Sequence, residues 1–263
     1  MPFPESPRVI FGKNPIVEVV CQLRFSPVLK IITAPPAEFQ DEIRNYYPLY
    51  ERQDPPAVPT EIVAILRRVS GTIMPGEAQQ HRFLTADKGR TLTLGQDFVA
   101  VTETAYERWE LYRNHVLLAK EAVEALYGPI VYQRVGLRYR NQLKLVKLGL
   151  QGQSLRDLLT DGFVGVLGAR EVAAQVLALQ TSAIIDLSPQ VPGAKAHVRF
   201  GMNREGTTTN DFVIDSDFFL EPNVEAMNVP TILDAFNRLD GHLFRWAIRR
   251  DGPLWAALDP RPV

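Results

Sequence analysis

The chain is short of the residues on which most recognisable chemistry depends. A single cysteine, Cys21, among 263 residues excludes an internal disulfide and any zinc site built from several cysteines. The four histidines, His81, His115, His197 and His242, are scattered, with no His or Cys at metal-ligand spacing, so they read as surface or helix-end residues. No nucleophile elbow, phosphate-cradling glycine loop, HExxH or Walker-type sequence occurs. Charge of one sign is also missing. Lys plus Arg total 29 against 30 acids, which argues against bulk capture of nucleic acid or anionic membrane and leaves room only for a local patch. No apolar run approaches the ~20 residues that span a bilayer. Residues Met1 to Pro7 lack a basic stretch followed by an apolar one, so they do not read as a secretory signal. These absences set the expectation of a cytoplasmic chain with no metal, no cofactor and no membrane contact.

What is present is a repeat. Pro15-Ile16-Val17-Glu18-Val19-Val20-Cys21-Gln22-Leu23-Arg24-Phe25 returns 114 residues later as Pro129-Ile130-Val131-Tyr132-Gln133-Arg134-Val135-Gly136-Leu137-Arg138-Tyr139. Two copies of one unit would explain it. Residues 1–14 read as an extended Pro-rich arm, 15–128 as a first α+β repeat and 129–263 as a second, the two able to form one continuous domain. The first copy alternates as a half-buried strand over 15–25. A helix is expected over Ala37–Leu49, then a Pro-rich loop to Thr60. Strands are expected at Glu61–Val69, His81–Ala86, Thr91–Leu94 and Phe98–Thr102, and an amphipathic helix at Tyr106–Tyr127 closed by Gly128-Pro129. The second copy reads as a strand through 130–145, a short helix at Leu155–Leu167 and strands at Val176–Leu187, Ala194–Met202 and Asp211–Leu220. A helix over Thr231–Ile248 and then Gly252-Pro253 close it.

Two further matches, Asp97-Phe98-Val99 with Asp217-Phe218-Phe219 and Gly128-Pro129 with Gly252-Pro253, extend the correspondence. The predicted fold class is α+β. It is a tandem duplication of a strand–helix–four-strand–helix unit whose antiparallel sheet is curved and backed by helices, like the TATA-binding-protein architecture.

Candidate binding residues lie on the polar sides of the strands. Arg134, Arg138 and Arg140 share a parity opposite Val135, Leu137 and Tyr139, and Arg24 stands where the first copy aligns with Arg138. His197 and Arg199 share a face, as do Ser182 and Asp186, and as do Asp211, Asp215 and Asp217. If these strands are neighbours, one sheet face carries arginines flanked by aspartates. Arginine favours planar, bidentate recognition of carboxylate or phosphate. The plain alternative is a solvated face of cross-strand ion pairs, each worth about 0.2–1 kcal/mol. Cys21 falls on the core side and reads as an inert thiol. Trp109, Tyr112, Phe236, Phe244 and Trp246 sit at helical spacing and read as core, while Trp255 could dock the C-terminus or a partner.

Asn14–Val19, Leu94 to Tyr106 with Trp109, and Arg134-Val135-Gly136-Leu137-Arg138-Tyr139 with Asn141 together resemble a sporadically distributed family of uncharacterised prokaryotic proteins. The resemblance spans nearly the whole chain and brings no catalytic residue with it. Patchy occurrence implies a phage-defence, toxin–antitoxin or mobile-element setting. The functional expectation is a non-enzymatic binding or regulatory protein that recognises a protein partner or an anionic small molecule through Arg24, Arg134, Arg138, Arg140, Arg199, Asp186, Asp215 and Asp217. One alternative is nucleic-acid binding on the concave sheet, opposed by the aspartates. The other is an enzyme acting on a phosphorylated or nucleotide substrate, with Arg134, Arg138 and Arg140 clamping phosphates while Asp186, Asp215 or Asp217 holds a metal.

Overall fold

Strand β2 (Ile16–Arg24) shows how the sequence builds the architecture. Val19, Cys21 and Leu23 are buried, whereas the alternating Glu18, Val20 and Gln22 are half-buried and Arg24 is exposed. One side of such a strand needs an apolar cover. The computed structural model describes residues 2–53, 80–129, 131–169, 171–203 and 211–263, and there the cover is a layer of helices.

After β1 (Val9–Phe11) and β2 come α1 (Leu29–Thr33), α2 (Ala37–Ile43) and four strands, β3 (Leu49–Gln53), β4 (Gln80–Leu84), β5 (Arg90–Gly95) and β6 (Phe98–Glu103). Helix α3 (Trp109–Tyr127) follows, ending at Gly128, whose left-handed conformation closes it with an N–H to the Glu124 carbonyl. The second half runs through β7 (Val131–Tyr132), β8 (Arg134–Leu143), α4 (Leu155–Leu158), α5 (Asp161–Val164), β9 (Ala178–Asp186), β10 (Lys195–Asn203) and β11 (Phe212–Leu220). It closes with β12 (Val224–Glu225), α6 (Val229–Ala247), α7 (Pro253–Ala257) and β13 (Pro260–Pro262).

Nine strands form one antiparallel sheet in the order β3-β4-β5-β6-β2-β8-β11-β10-β9. At its centre β2 pairs with β8, each flanked by the last strand that its own half gives to this sheet, β6 and β11. Short ladders join β7 to β12 and the arm strand β1 to β13. Phe11 lies edge-on to both Phe244 and Trp255, so Trp255 docks the C-terminus against the arm.

Helices α3 and α6 are each 19 residues long and pack on the same side of the sheet. Trp109, Tyr112, Val116, Ala119, Lys120, Ala122 and Val123 are buried in α3; each position plus 120 is also buried in α6, as Val229, Ile232, Phe236, Leu239, Asp240, His242 and Leu243. Each large apolar side chain in that layer contributes about 1.5–3 kcal/mol.

Several expectations are corrected. The helix over Ala37–Leu49 stops at Ile43, because Pro48 biases Tyr47 away from helical angles and β3 begins at Leu49. The expected helix over Leu155–Leu167 divides into α4, α5 and a 3-10 turn. Backbone pairing with the end of α6 competes for its middle: Thr160 N–H donates to the Ala247 carbonyl at 2.9 Å, and Leu159 bridges Ile248. The second half contributes β9, β10 and β11 outside its central strand, not four strands, among the described residues. The strand expected at Glu61–Val69 and most of the loop before it lie outside the described residues.

Sheet register also revises two matches. Leu23 pairs with Val99 and Leu137 with Phe218, so Val99 corresponds to Phe218 at an offset of 119. Aligning Asp97-Phe98 with Asp217-Phe218 is one residue out, which would exchange the two faces of the strand. Gly252 opens α7 five residues after α6 ends, whereas Gly128 caps α3 directly, so the two Gly-Pro pairs do different work.

Candidate functional site

Strand β8 presents two chemistries. Arg134, Arg138 and Arg140 point away from the helices; Tyr139 and Asn141, between and beyond them, point towards the helices. On the first side β11 and β10 supply the partners. Arg138 donates from Nε and Nη2 to the two oxygens of Asp215, both at 2.7 Å, and Arg199 donates to the same carboxylate at 3.0 Å. Arg134 donates to both oxygens of Asp217 at 3.0 and 2.8 Å and lies 5.1 Å over the Phe219 ring. Asp215, only 13% exposed, holds the Arg138 guanidinium above the ordinary arginine range by hydrogen bonding. The bonds from β8 to β11 run diagonally, since the direct neighbour of Arg138 is Asp217 and that of Arg140 is Asp215, whereas Arg199 faces Asp215 directly. Gly136 permits this: a Cβ there would stand 2.2 Å from Nη1 of Arg134, which crosses over it.

The remaining residues expected at this face separate from the lattice. Arg24 stands directly across from Arg134 but pairs at 2.7 Å with Asp97 in the β5–β6 turn. Asp186, at the end of the edge strand β9, accepts from the Ser188 N–H at 3.0 Å and its hydroxyl at 2.6 Å, a local turn that holds its carboxyl below the usual range. Arg140 is exposed and has no ion pair among the described residues. His197 lies at the lattice edge, 2.7 Å from the Ser182 hydroxyl. No group of three metal-ligating side chains is assembled among the described residues, and Asp186, Asp215 and Asp217 are each engaged elsewhere.

On the helical side of β8 lies a cavity of about 440 Å³, roofed by the arm and walled by β8, α6 and the segment entering α3. The Asn141 side chain lines it at 2% exposure and makes no hydrogen bond to any described residue. Its amide atoms are not among the buried side-chain atoms left without a partner, so they open onto the cavity rather than into packed protein. Asp240, 5% exposed, accepts from the Ser216 hydroxyl at 2.5 Å through one oxygen only. Burial pushes its carboxyl up to about 7, opposed by Ser216 and by Arg245. Arg245 is itself pushed down to about 10 by burial and donates to the Ser6 hydroxyl at 2.6 Å. Ser6 N–H donates to Nδ1 of His242 at 3.2 Å, which fixes the arm over the cavity. The β2–β8 ladder shifts register between Ile16 and Glu18, at the point where β2 faces Asn141. Such bulges locally disrupt a ladder, often beside functional sites.

These inward residues had a signal in the sequence. Asn141 has the parity of Leu137 and Tyr139, and Asp240 sits four residues from Phe236 on the apolar stripe of its helix. A polar residue at a position that the period assigns to the core is informative. Attention to the arginine-bearing parity alone passes over both.

In the first half, His115 is enclosed by Tyr47, whose Oη lies 3.1 Å from Nδ1, and by Arg90, whose Nη1 lies 2.7 Å from Nε2. Arg90 also pairs with the buried Glu103. Burial and then Arg90 push the imidazole down to about 4, so it is neutral near pH 7. Cys21 is buried and its thiol is pushed up by burial.

No family model matches the chain, and no curated protein matches it. Among solved structures it is similar to the substrate-free duplicated taurocyamine kinase from Schistosoma mansoni at 9% identity and a TM-score of 0.39, over 92% of this chain and 36% of that one. The same kinase with bound transition state analog components gives 9% identity and a TM-score of 0.40, over 87% of this chain and 32% of that one. The chain thus spans about a third of the length of these kinase chains.

Proposed function

We propose that the chain is a non-enzymatic binding protein that docks an acidic surface of a protein partner on the second-half sheet face, in the phage-defence or toxin–antitoxin setting that its sequence resemblance implies. The carrying observation is the preorganised arginine array of this face. Arg134, Arg138 and Arg199 share the carboxylates of Asp215 and Asp217, and Arg140 adds an exposed cation with no ion pair among the described residues. Glu18, 4.0 Å from Arg138, and Asp211, which accepts from Gln142, bring the face as a whole close to neutral. Arg140 is therefore the cation that a partner would meet, and the bidentate contacts fix the arginines around it before a partner arrives, which lowers the ordering cost of binding.

The same reading includes a tandem duplication with a TATA-binding-protein-like arrangement. Three features support it: the order of elements in each half, the shared buried positions of α3 and α6, and the β2–β8 register. That register pairs Gln22 with Gly136, residues 114 apart, so a two-fold axis relating the repeated segments would pass between them. Among the described residues no helix covers this face of the sheet, which suits it as a platform for a partner.

The test uses Arg140→Gln, which removes the exposed charge without adding a third carboxylate beside Glu18 and Asp215, its direct neighbours on β2 and β11. Proteins captured from the source cell by the wild-type chain are identified, purified and rebuilt as defined pairs. The expected result is about tenfold or more weaker binding by the variant, an unchanged Tm, and wild-type affinity that falls with salt. Equal affinity of the purified partner for both chains sinks the reading.

A further inference from the structure

The cavity beneath the arm lies on the opposite side of the sheet from the arginine lattice, and its chemistry is different. We propose that it binds a small molecule joining a planar hydrogen-bonding ring to an anionic group, the chemistry of a nucleoside monophosphate. At the deep end the Asn141 amide offers a donor and an acceptor side by side, with no described residue to take either. An amide of this kind reads a complementary edge of a heterocycle, as Asn does with adenine. Asp240 stands on the same lining with one oxygen bonded to Ser216 and the other without a hydrogen-bond partner among the described residues.

The walls suit the ring. Tyr106, Trp109 and Phe244 all line the cavity, and the Tyr106 and Tyr139 rings meet edge-on at 5.8 Å. Aromatic side chains stack on any nucleobase because every base has a π-face. The rim suits the anion. Arg108 and Arg238 both line the cavity, are exposed, and have no ion pair among the described residues. Arg8, by contrast, is already committed to Glu110 through bonds of 2.6 and 3.0 Å. A volume of about 440 Å³ falls within the range of small-ligand sites. The cover is the arm, tied at Ser6 to His242 and Arg245 on α6 and at Val9–Phe11 to β13.

The experiment measures thermal shift and calorimetric binding of AMP, GMP, CMP and UMP to the full chain, with the matching nucleosides and inorganic phosphate as half-probes. The expected result is that at least one monophosphate binds with Kd below about 1 mM, and that its nucleoside and phosphate alone bind about tenfold more weakly or worse. Asn141→Leu is expected to leave the Tm of the unliganded chain close to that of the wild type, because the amide faces the cavity and bonds no described neighbour, and to weaken the monophosphate by about tenfold. Asn141→Ala controls for the larger side chain and is expected to weaken binding likewise. Replacing Arg108 and Arg238 together with alanine is expected to make monophosphate and nucleoside bind alike. The proposal is overturned if no monophosphate binds the wild-type chain, or if binding survives Asn141→Leu unchanged. It is overturned equally if both Asn141 variants lower the Tm of the unliganded chain, since the amide would then be holding the fold together.

Discussion

Helices α3 and α6 bury the same positions 120 residues apart, yet they treat one of those positions in opposite ways. In α3 the buried charged residue is Lys120, whose ammonium donates at 2.7 Å to Glu124, one turn on; Glu124 in turn accepts from the Tyr132 hydroxyl at 2.9 Å. In α6 the corresponding residue is Asp240, which has a serine hydroxyl and no ion pair among the described residues. A buried charge without a counter-charge neutralises itself by shifting its pKa. The first helix therefore closes its polar slot with a local pair, whereas the second leaves its slot facing a cavity. One frame serves packing in one half and presents reactive-looking polarity in the other.

The largest expected effect breaks this contrast at Asp240. Its folded-state carboxyl lies at about 7, against an ordinary value near 4. Below about pH 4 both folded and unfolded chains carry the proton, and the contribution is complete. As pH rises the unfolded chain releases its proton first, so this residue's contribution falls between about pH 4 and 7 and is flat above. Linkage puts that loss on the order of 4 kcal/mol. Asp240→Asn stays neutral and keeps an oxygen for the Ser216 hydroxyl. Urea unfolding across this pH range should show the variant gaining on the wild-type chain as pH rises; a constant difference would contradict the assignment.

His115, in the first half, sharpens the contrast because its slope is opposite. Its folded-state value of about 4 lies below the ordinary 6.5, so its contribution is complete above about pH 6.5 and is lost as pH falls towards 4. Arg90 donates to Nε2, which assigns the proton to Nδ1 facing Tyr47. The effect should be smaller than that of Asp240, since His115 is only half-buried and solvent screens it. In the wild-type chain the two slopes offset each other across one pH window. His115→Gln should uncover the falling slope of Asp240, while Asp240→Asn should uncover the rising slope of His115. Unfolding curves of the two variants with the same sign of slope would break the comparison.

The sheet's non-helical side offers a second contrast between halves. Thr91, Thr93 and Thr102 line it on β5 and β6, whereas β8, β10 and β11 carry the arginine–aspartate lattice. Asp215→Asn removes the counter-charge of Arg199 and the bidentate one of Arg138, which keeps Glu18 at 4.0 Å. A fully buried pair broken in this way costs about 3–5 kcal/mol, but both arginines are about a third exposed, so screening should reduce the cost to roughly 1–2 kcal/mol. Thr93→Ala should stay within about 0.5 kcal/mol. Equal costs in urea unfolding would show that the lattice is no more than solvated surface.

How much of this was legible in the sequence can be judged at single residues. The parity of Arg134, Arg138 and Arg140 against Val135, Leu137 and Tyr139 is a local property, and alternation assigned it correctly. Local alternation could not tell that Arg24 would choose Asp97, because the partner comes from a turn more than seventy residues away and sheet register decides which side chains meet. Asp186 likewise follows its own turn at Ser188 rather than the lattice across β10. The helix expected through Leu167 has ordinary helical spacing, yet tertiary pairing of Leu159 and Thr160 with the end of α6 outbids it. The cavity needs three separated segments, the arm, β8 and α6, to come together. Only the misplaced polarity of Asn141 and Asp240 announced it beforehand.

The smallest expected effect concerns Gly136. It is the third residue of β8 and has no positive φ, so its lack of a side chain answers a neighbour and not a backbone need. That neighbour is the Arg134 guanidinium, which occupies the space where a Cβ would be and reaches Asp217 across it. Gly136→Ala should therefore displace the end of a flexible side chain and leave the ladder to β2 and β11 intact. The cost should be under about 1 kcal/mol, because the loss of the partly buried Arg134–Asp217 pair is offset in part by alanine's better backbone entropy. A double-mutant cycle with Asp217→Asn separates the explanations. If the glycine exists to let Arg134 cross, then Asp217→Asn should cost less in the alanine background by about 0.5 kcal/mol or more. Strict additivity would detach Gly136 from the lattice and leave close packing of the strands as its reason.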